Sequence, residues 1–135
     1  MRQLEIQIVS DLYLDTYPEY DFPIEPKAPN LALLGNIGIT NTAEDKINLE
    51  VFLMRQCRSF EKVFYVPGTH EVQDSDWNET LSFLRHFEFY VRFSDDAELG
   101  EFFVMNRKRF VINDFAILGC RLFSHIPETV MPQAE

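Results

Sequence analysis

The chain is poor in the residues that mark the more specialised protein classes. Its 135 residues hold two cysteines, three histidines, five glycines and one tryptophan. Cys57 and Cys120 stand alone in different segments, which excludes a paired-cysteine zinc motif and a small disulfide framework. Both are expected to be buried thiols in a reducing compartment. No apolar run approaches the ~20 residues that a membrane-spanning helix requires. Basic residues are also scarce, 12 against 22 carboxylates, and a net charge of −10 argues against binding to nucleic acid phosphates or to anionic membrane surfaces. The opening Met1-Arg2-Gln3-Leu4-Glu5-Ile6 lacks the continuous apolar centre and small-residue cleavage site of a signal peptide, so a cytoplasmic protein is expected. Asn78-Glu79-Thr80 matches a glycosylation acceptor, and without a secretory signal the match is incidental.

What the chain does have is apolar bulk. Hydrophobic residues make up 46% and include 13 phenylalanines, too much for disorder, and the length suits one domain over residues 1–135. Leu4, Ile6 and Ile8 alternate with Glu5, Gln7 and Val9, the pattern of a strand with one face more buried, over Leu4–Ser10. Residues 16–30 hold Pro18, Pro23, Pro26 and Pro29 and read as a long ordered loop. Leu31–Leu34 reads as a strand buried on both faces. A helix is expected from Thr42 to about Ser59, with Asp45 at the reciprocal capping position and Ile47, Val51 and Met54 as its apolar stripe, Phe52 beside it. Glu61–Val66 is a third strand. A second helix starts near Asp76, with Glu79 at the box position and Trp77, Leu81, Leu84 and Val91 on one face. Phe102–Met105, Arg109–Ile112 and Phe115–Leu118 follow as short strands, the last two joined by a turn at Asn113-Asp114. Two strand-to-helix crossovers argue for an α/β core with parallel pairing in its first half.

The first three strands each end in a polar cluster: Asp11-Leu12-Tyr13, Gly35-Asn36-Ile37-Gly38 and Gly68-Thr69-His70-Glu71. The carboxyl ends of parallel strands are where α/β sheets place their chemistry. Taken singly, these residues have structural readings. Asp11 suits a turn cap, His70 a loop histidine, and Asn36 between glycines a turn position with positive φ. Asp15, Glu19, Asp21 and Glu25 could line an acidic rim, His86 suits a half-exposed helix position, and His125 has no second donor near it in sequence.

Taken together, the three clusters resemble the calcineurin-like metallophosphoesterase superfamily. The resemblance extends through Phe64–Gly68, Asp76-Trp77 and Leu118–Ile126, which look like small single-domain members found among fungi. It implies the amino-terminal half of an αββα sandwich, a mixed sheet with a parallel first half. It also implies two divalent ions, manganese, iron or zinc, and a phosphoester substrate. By the same resemblance Asp11 is a metal ligand, Asn36 stands where an aspartate bridges the ions, and Tyr13 and Thr69 occupy the places of a histidine and an asparagine ligand. His70 is the candidate catalytic residue, contacting phosphate or assisting the leaving group. An amide is a neutral and poor bridge between cations, and by the resemblance the family's further histidine ligands belong to a second half that is expected to lie beyond these residues.

Three readings follow. The first is a degenerate, truncated phosphoesterase domain, a pseudoenzyme with weak or no activity. The second is an active single-metal phosphoesterase using Asp11 and His70. The third is a non-enzymatic module whose exposed apolar face is covered by a second copy or a partner.

Overall fold

The computed structural model describes residues 3–121. His125 and the Leu122–Ile126 part of the resemblance lie outside the described residues. The elements are β1 (Ile6–Val9), β2 (Asn30–Leu33), α1 (Ala43–Ser59), β3 (Lys62–Tyr65), α2 (Trp77–Arg92), β4 (Glu101–Val104), β5 (Lys108–Ile112) and β6 (Phe115–Gly119), with 3₁₀ turns at Leu14–Thr16 and His70–Val72. This is a mixed α/β fold. Strands β1 to β4 form a parallel sheet in the order 1-2-3-4, and β5 pairs antiparallel with β6. No helix among the described residues is long and apolar enough to cross a membrane.

The register fixes two kinds of row across the sheet. Gln7, Leu31, Val63 and Phe102 align, as do Val9, Leu33, Tyr65 and Val104, and these rows face the helices. A strand order that steps one way along the sheet, through crossovers of the usual hand, carries both helices to one face. There Leu49, Phe52, Leu53 and Cys57 of α1 and Leu84, Phe87 and Val91 of α2 close the core. On the opposite face Ile8, Ala32, Phe64 and Phe103 align. The hairpin covers one end of that row, with the Phe110 ring 4.3 Å from Phe103 and 5.6 Å from Phe64. At the other end Ile8 is 66% exposed.

Several expectations are corrected. The antiparallel strands do not extend the parallel sheet into one mixed sheet: β4 is parallel to β3, and the hairpin forms its own sheet, held by aromatic packing. In β1 it is Val9 that packs against the core, while Ile8 is left outside. Gln7 shares the helix-facing row because its amide finds partners in the proline-rich loop, donating to the Glu25 carbonyl and accepting from the Lys27 amide. On α1 two residues of the expected stripe point away, Ile47 at 61% and Val51 at 48% exposed, while Met54 packs partly buried against the core, and the buried residues are Leu49, Phe52, Leu53, Gln56 and Cys57. Both sets recur at helical spacing, so periodicity alone could not choose between them. Cys120 is exposed, whereas burial pushes the Cys57 thiol up to about 12.

The caps agree with the residues that suggested them. Thr42 and Asp45 form a reciprocal box at the start of α1. Asp76 accepts from the Glu79 amide at the start of α2, but the Glu79 carboxylate takes the Ser75 hydroxyl instead of completing the box. Along α2, Leu84 and Val91 are buried as expected, joined by Thr80 and Phe87.

The choice of face on α1 has a direct test in urea unfolding. Leu53→Ala is expected to cost about 2–5 kcal/mol, while Ile47→Ala stays within about 0.5 kcal/mol of the parent. Equal losses would show that both faces are packed.

Candidate functional site

Backbone hydrogen bonds hold the loops after β1 and β2 side by side beyond the last sheet pair. Asp11 N–H donates to the Gly35 carbonyl at 3.0 Å, Tyr13 N–H to the Asn36 carbonyl at 3.0 Å and Leu14 N–H to the Ile37 carbonyl at 2.8 Å. To make these turns Asp11, Tyr13 and Asn36 adopt left-handed backbone, with φ of 59°, 48° and 55°. Asparagine and aspartate take that conformation readily, and a bulky tyrosine does so only where its surroundings impose it. The loop after β3 approaches as closely as glycine permits. A Cβ on Gly68 would stand 2.8 Å from Asn36 Oδ1 and 3.2 Å from Gly35 Cα.

Beneath the loops lies the Glu71 side chain, fully buried. Its Oε1 accepts from the amides of Asn36 at 2.8 Å and Gly68 at 2.6 Å. Its Oε2 accepts from the amides of Ile37 at 2.6 Å and Gly38 at 3.2 Å and from the Tyr65 hydroxyl at 2.7 Å. Burial, and then the adjoining Glu71 charge, push the Tyr65 pKa well above the ordinary phenol value, so this hydroxyl remains a donor. The Glu71 carbonyl also accepts from the Thr40 amide and hydroxyl. One carboxylate therefore joins the second and third loops to β3.

On this base the Asn36 amide connects the polar groups. Its Nδ2 donates to Asp11 Oδ1 at 2.8 Å, and its Oδ1 accepts from the His70 amide at 2.9 Å. The reverse orientation would set oxygen against carboxylate and NH₂ against N–H, so the partners fix which way the amide points. Asp11 also accepts from the Ser10 hydroxyl at 2.9 Å. The Asn36 bond first, and the Ser10 bond second, hold the Asp11 carboxyl below the ordinary value of 3.8. His70 Nε2 lies 2.7 Å from Asp15 Oδ1, and the Tyr13 ring meets the imidazole edge-on with centroids 4.8 Å apart. Thr69 turns outward to the Arg121 guanidinium, which donates to its hydroxyl at 2.9 Å and lies over the Trp77 ring.

Asp11, Tyr13, Asn36 and His70 are thus brought together, with Thr69 at the margin. The acidic rim does not assemble. Asp15 pairs with His70, Asp21 with Arg55 and Glu25 with Lys27. His86 is exposed on α2 and borders a cavity of about 450 Å³ between the helices. A second cavity, of about 570 Å³, lies beside β4 and β5.

The residues present do not fit the two-ion site. A cation between Asp11 and Asn36 needs oxygen donors converging on it, and Asn36 offers Asp11 an N–H. Turning the amide over would also break its bond from the His70 backbone. Among the described residues no three His, Cys, Asp or Glu side chains gather as ligands. Two further residues are part of the site. Glu71 follows His70 in the sequence, and its burial had no local signal. Asp15 lies four residues beyond Asp11, but only folding shows that it turns to His70.

No family model matches the chain. No solved structure matches it either. It is similar to the "Uncharacterized protein L509" of Acanthamoeba polyphaga mimivirus, 30% identical over 107 residues that cover 76% of this chain and 36% of that protein. The chain spans about a third of the length of this curated relative.

Two outcomes are expected from the geometry. Glu71→Gln keeps the shape but brings an NH₂ among five donors, and it should cost at least about 3 kcal/mol by chemical denaturation. A loss below about 1 kcal/mol would contradict the central role of this side chain. Because the folded Asp11 pKa is depressed, its contribution to stability is present above 3.8 and is lost as pH falls through the lower folded value. Asn36→Gly retains the backbone conformation and removes the amide, so an NMR titration should find the Asp11 pKa moved back up toward 3.8. An unmoved pKa would assign the depression to another group.

Proposed function

We propose that this chain is a degenerate domain of the metallophosphoesterase type, the amino-terminal half of an αββα sandwich, with weak or no phosphoester hydrolase activity. One observation carries this reading. The Asn36 amide lies where the first two strand-end clusters meet and satisfies Asp11 and the His70 backbone by hydrogen bonds of 2.8 and 2.9 Å. Two cations held a few ångströms apart need a bridging carboxylate to offset their repulsion. A neutral amide with its N–H toward the remaining carboxylate gives the opposite arrangement. Asp11 lies in the first loop and His70 in the third, and Tyr13 and Thr69 supply no carboxylate or imidazole beside them.

Titration calorimetry with manganese and zinc, alongside hydrolysis of bis(p-nitrophenyl) phosphate, tests the proposal. The parent chain should show no micromolar metal binding and no turnover above background. The triple variant Tyr13→His, Asn36→Asp, Thr69→Asn should gain metal binding, because the frame held by Glu71 is retained. Micromolar affinity in the parent, with turnover abolished by Asp11→Ala, would establish the single-metal hydrolase instead.

A second reading is favoured by the uncovered sheet face and hairpin, where Ile8 is 66% and Leu118 76% exposed. A self-associating module would bury these residues against a second copy. Light scattering decides it: a dimeric mass reduced by Ile8→Lys supports the module, and a monomer rejects it.

A further inference from the structure

We propose that Asp15 is a positioning residue for His70, fixing the imidazole proton on Nε2 and presenting Nδ1 as the nitrogen that meets a phosphate-bearing ligand. The choice of ligand rests on the phosphoester reading above, whereas the role of Asp15 rests on geometry alone.

The pair is enclosed and held from both sides. His70 Nε2 and Asp15 Oδ1 are 2.7 Å apart, and their side chains are 15% and 19% exposed. Each partner is placed by a fully buried neighbour in its own 3₁₀ turn. Leu14 precedes Asp15 and ties its backbone to the Ile37 carbonyl at 2.8 Å. Glu71 follows His70, whose own amide is bound to Asn36 Oδ1. The Tyr13 ring closes a further side of the imidazole, at an interplanar angle of 73°. Little freedom is left to either side chain, so the contact is built into the fold.

The tautomer follows from this contact. An ionised carboxylate only accepts hydrogen bonds, so the nitrogen facing Asp15 must carry the proton. In the neutral ring Nδ1 then bears the lone pair. Among the described residues Nδ1 has no hydrogen-bond partner, and no buried side-chain nitrogen or oxygen lacks one, so Nδ1 is not sealed from solvent. The atom open to a ligand is therefore the ring nitrogen nearer the backbone. The outer nitrogen, ordinarily the more accessible, is held by Asp15.

Long-range proton–nitrogen NMR of the full chain, with the imidazole neutral, reads the two nitrogens separately. The parent should show a bare Nδ1 and an Nε2 proton protected from exchange with water. Asp15→Ala should lose the protected signal and mix the tautomers, while Asp15→Asn retains the Nε2 proton by accepting through its carbonyl oxygen. Circular dichroism confirms that each variant is folded. A proton on Nδ1 in the parent, or an Nε2 signal unchanged in Asp15→Ala, overturns the positioning role. Addition of inorganic phosphate should shift Nδ1 and leave the Nε2 proton in place. A shift at Nε2 with loss of its proton means that phosphate displaces Asp15, and it overturns the proposal. No shift at either nitrogen overturns the phosphate class, whereas the degenerate-domain reading is decided by metal titration and turnover, and the tautomers of the parent and of Asp15→Ala then decide the role of Asp15 by themselves.

Discussion

The burial of one carboxylate governs the carboxyl edge of this sheet. Glu71 is inaccessible to solvent, and its two oxygens accept four backbone amides and one phenol. Those amides belong to loops that have left the sheet and lost their ladder partners. Left unpaired in the interior, each would cost about 1–3 kcal/mol. A buried charge is tolerable only when donors surround it in this way. The loops and the carboxylate therefore require one another, and the arrangement is all or nothing. His70, next along the chain, takes its position from this anchor.

The polar surface above the anchor is a hydrogen-bond relay. Asp11 receives the Asn36 amide and the Ser10 hydroxyl, Asn36 in turn receives the His70 backbone, and His70 meets Asp15. Negative charge at Asp11 is met by the Asn36 amide and the Ser10 hydroxyl, which hold its pKa down. Left-handed backbone at Asp11, Tyr13 and Asn36 confines the relay to one edge of the sheet. Such strain is retained where the surrounding structure over-determines it, and here the bonds to Glu71 and between the loops provide that constraint.

Much of the scaffold was legible in the residues. Thr42 with Asp45 marked the start of α1 because a cap is a local hydrogen bond. Asn36 between glycines indicated the positive φ that it adopts, since that preference also belongs to the residue and its neighbours. Faces were harder. α1 carries two apolar stripes, and the sheet buried the one at Leu49, Leu53 and Cys57 while Ile47 and Val51 stayed exposed. In β1 the polar Gln7 lies in the helix-facing row because a loop about twenty residues away in sequence satisfies its amide. Asp15 looked like one member of an acidic rim until folding paired each of three carboxylates with a different cation or imidazole.

The sequence by itself determined the element order, the helix caps, the three strand-end clusters and the left-handed turn at Asn36. Each of these depends on spacing or on conformational preference within a few residues. Tertiary structure alone decided which faces are buried, that Glu71 lies under the loops, which way the Asn36 amide points and that Asp15 finds His70. Those outcomes depend on pairing groups distant in the chain. An exposed carboxylate and a buried one are written with the same letter, and only the donors that fold around Glu71 distinguish it.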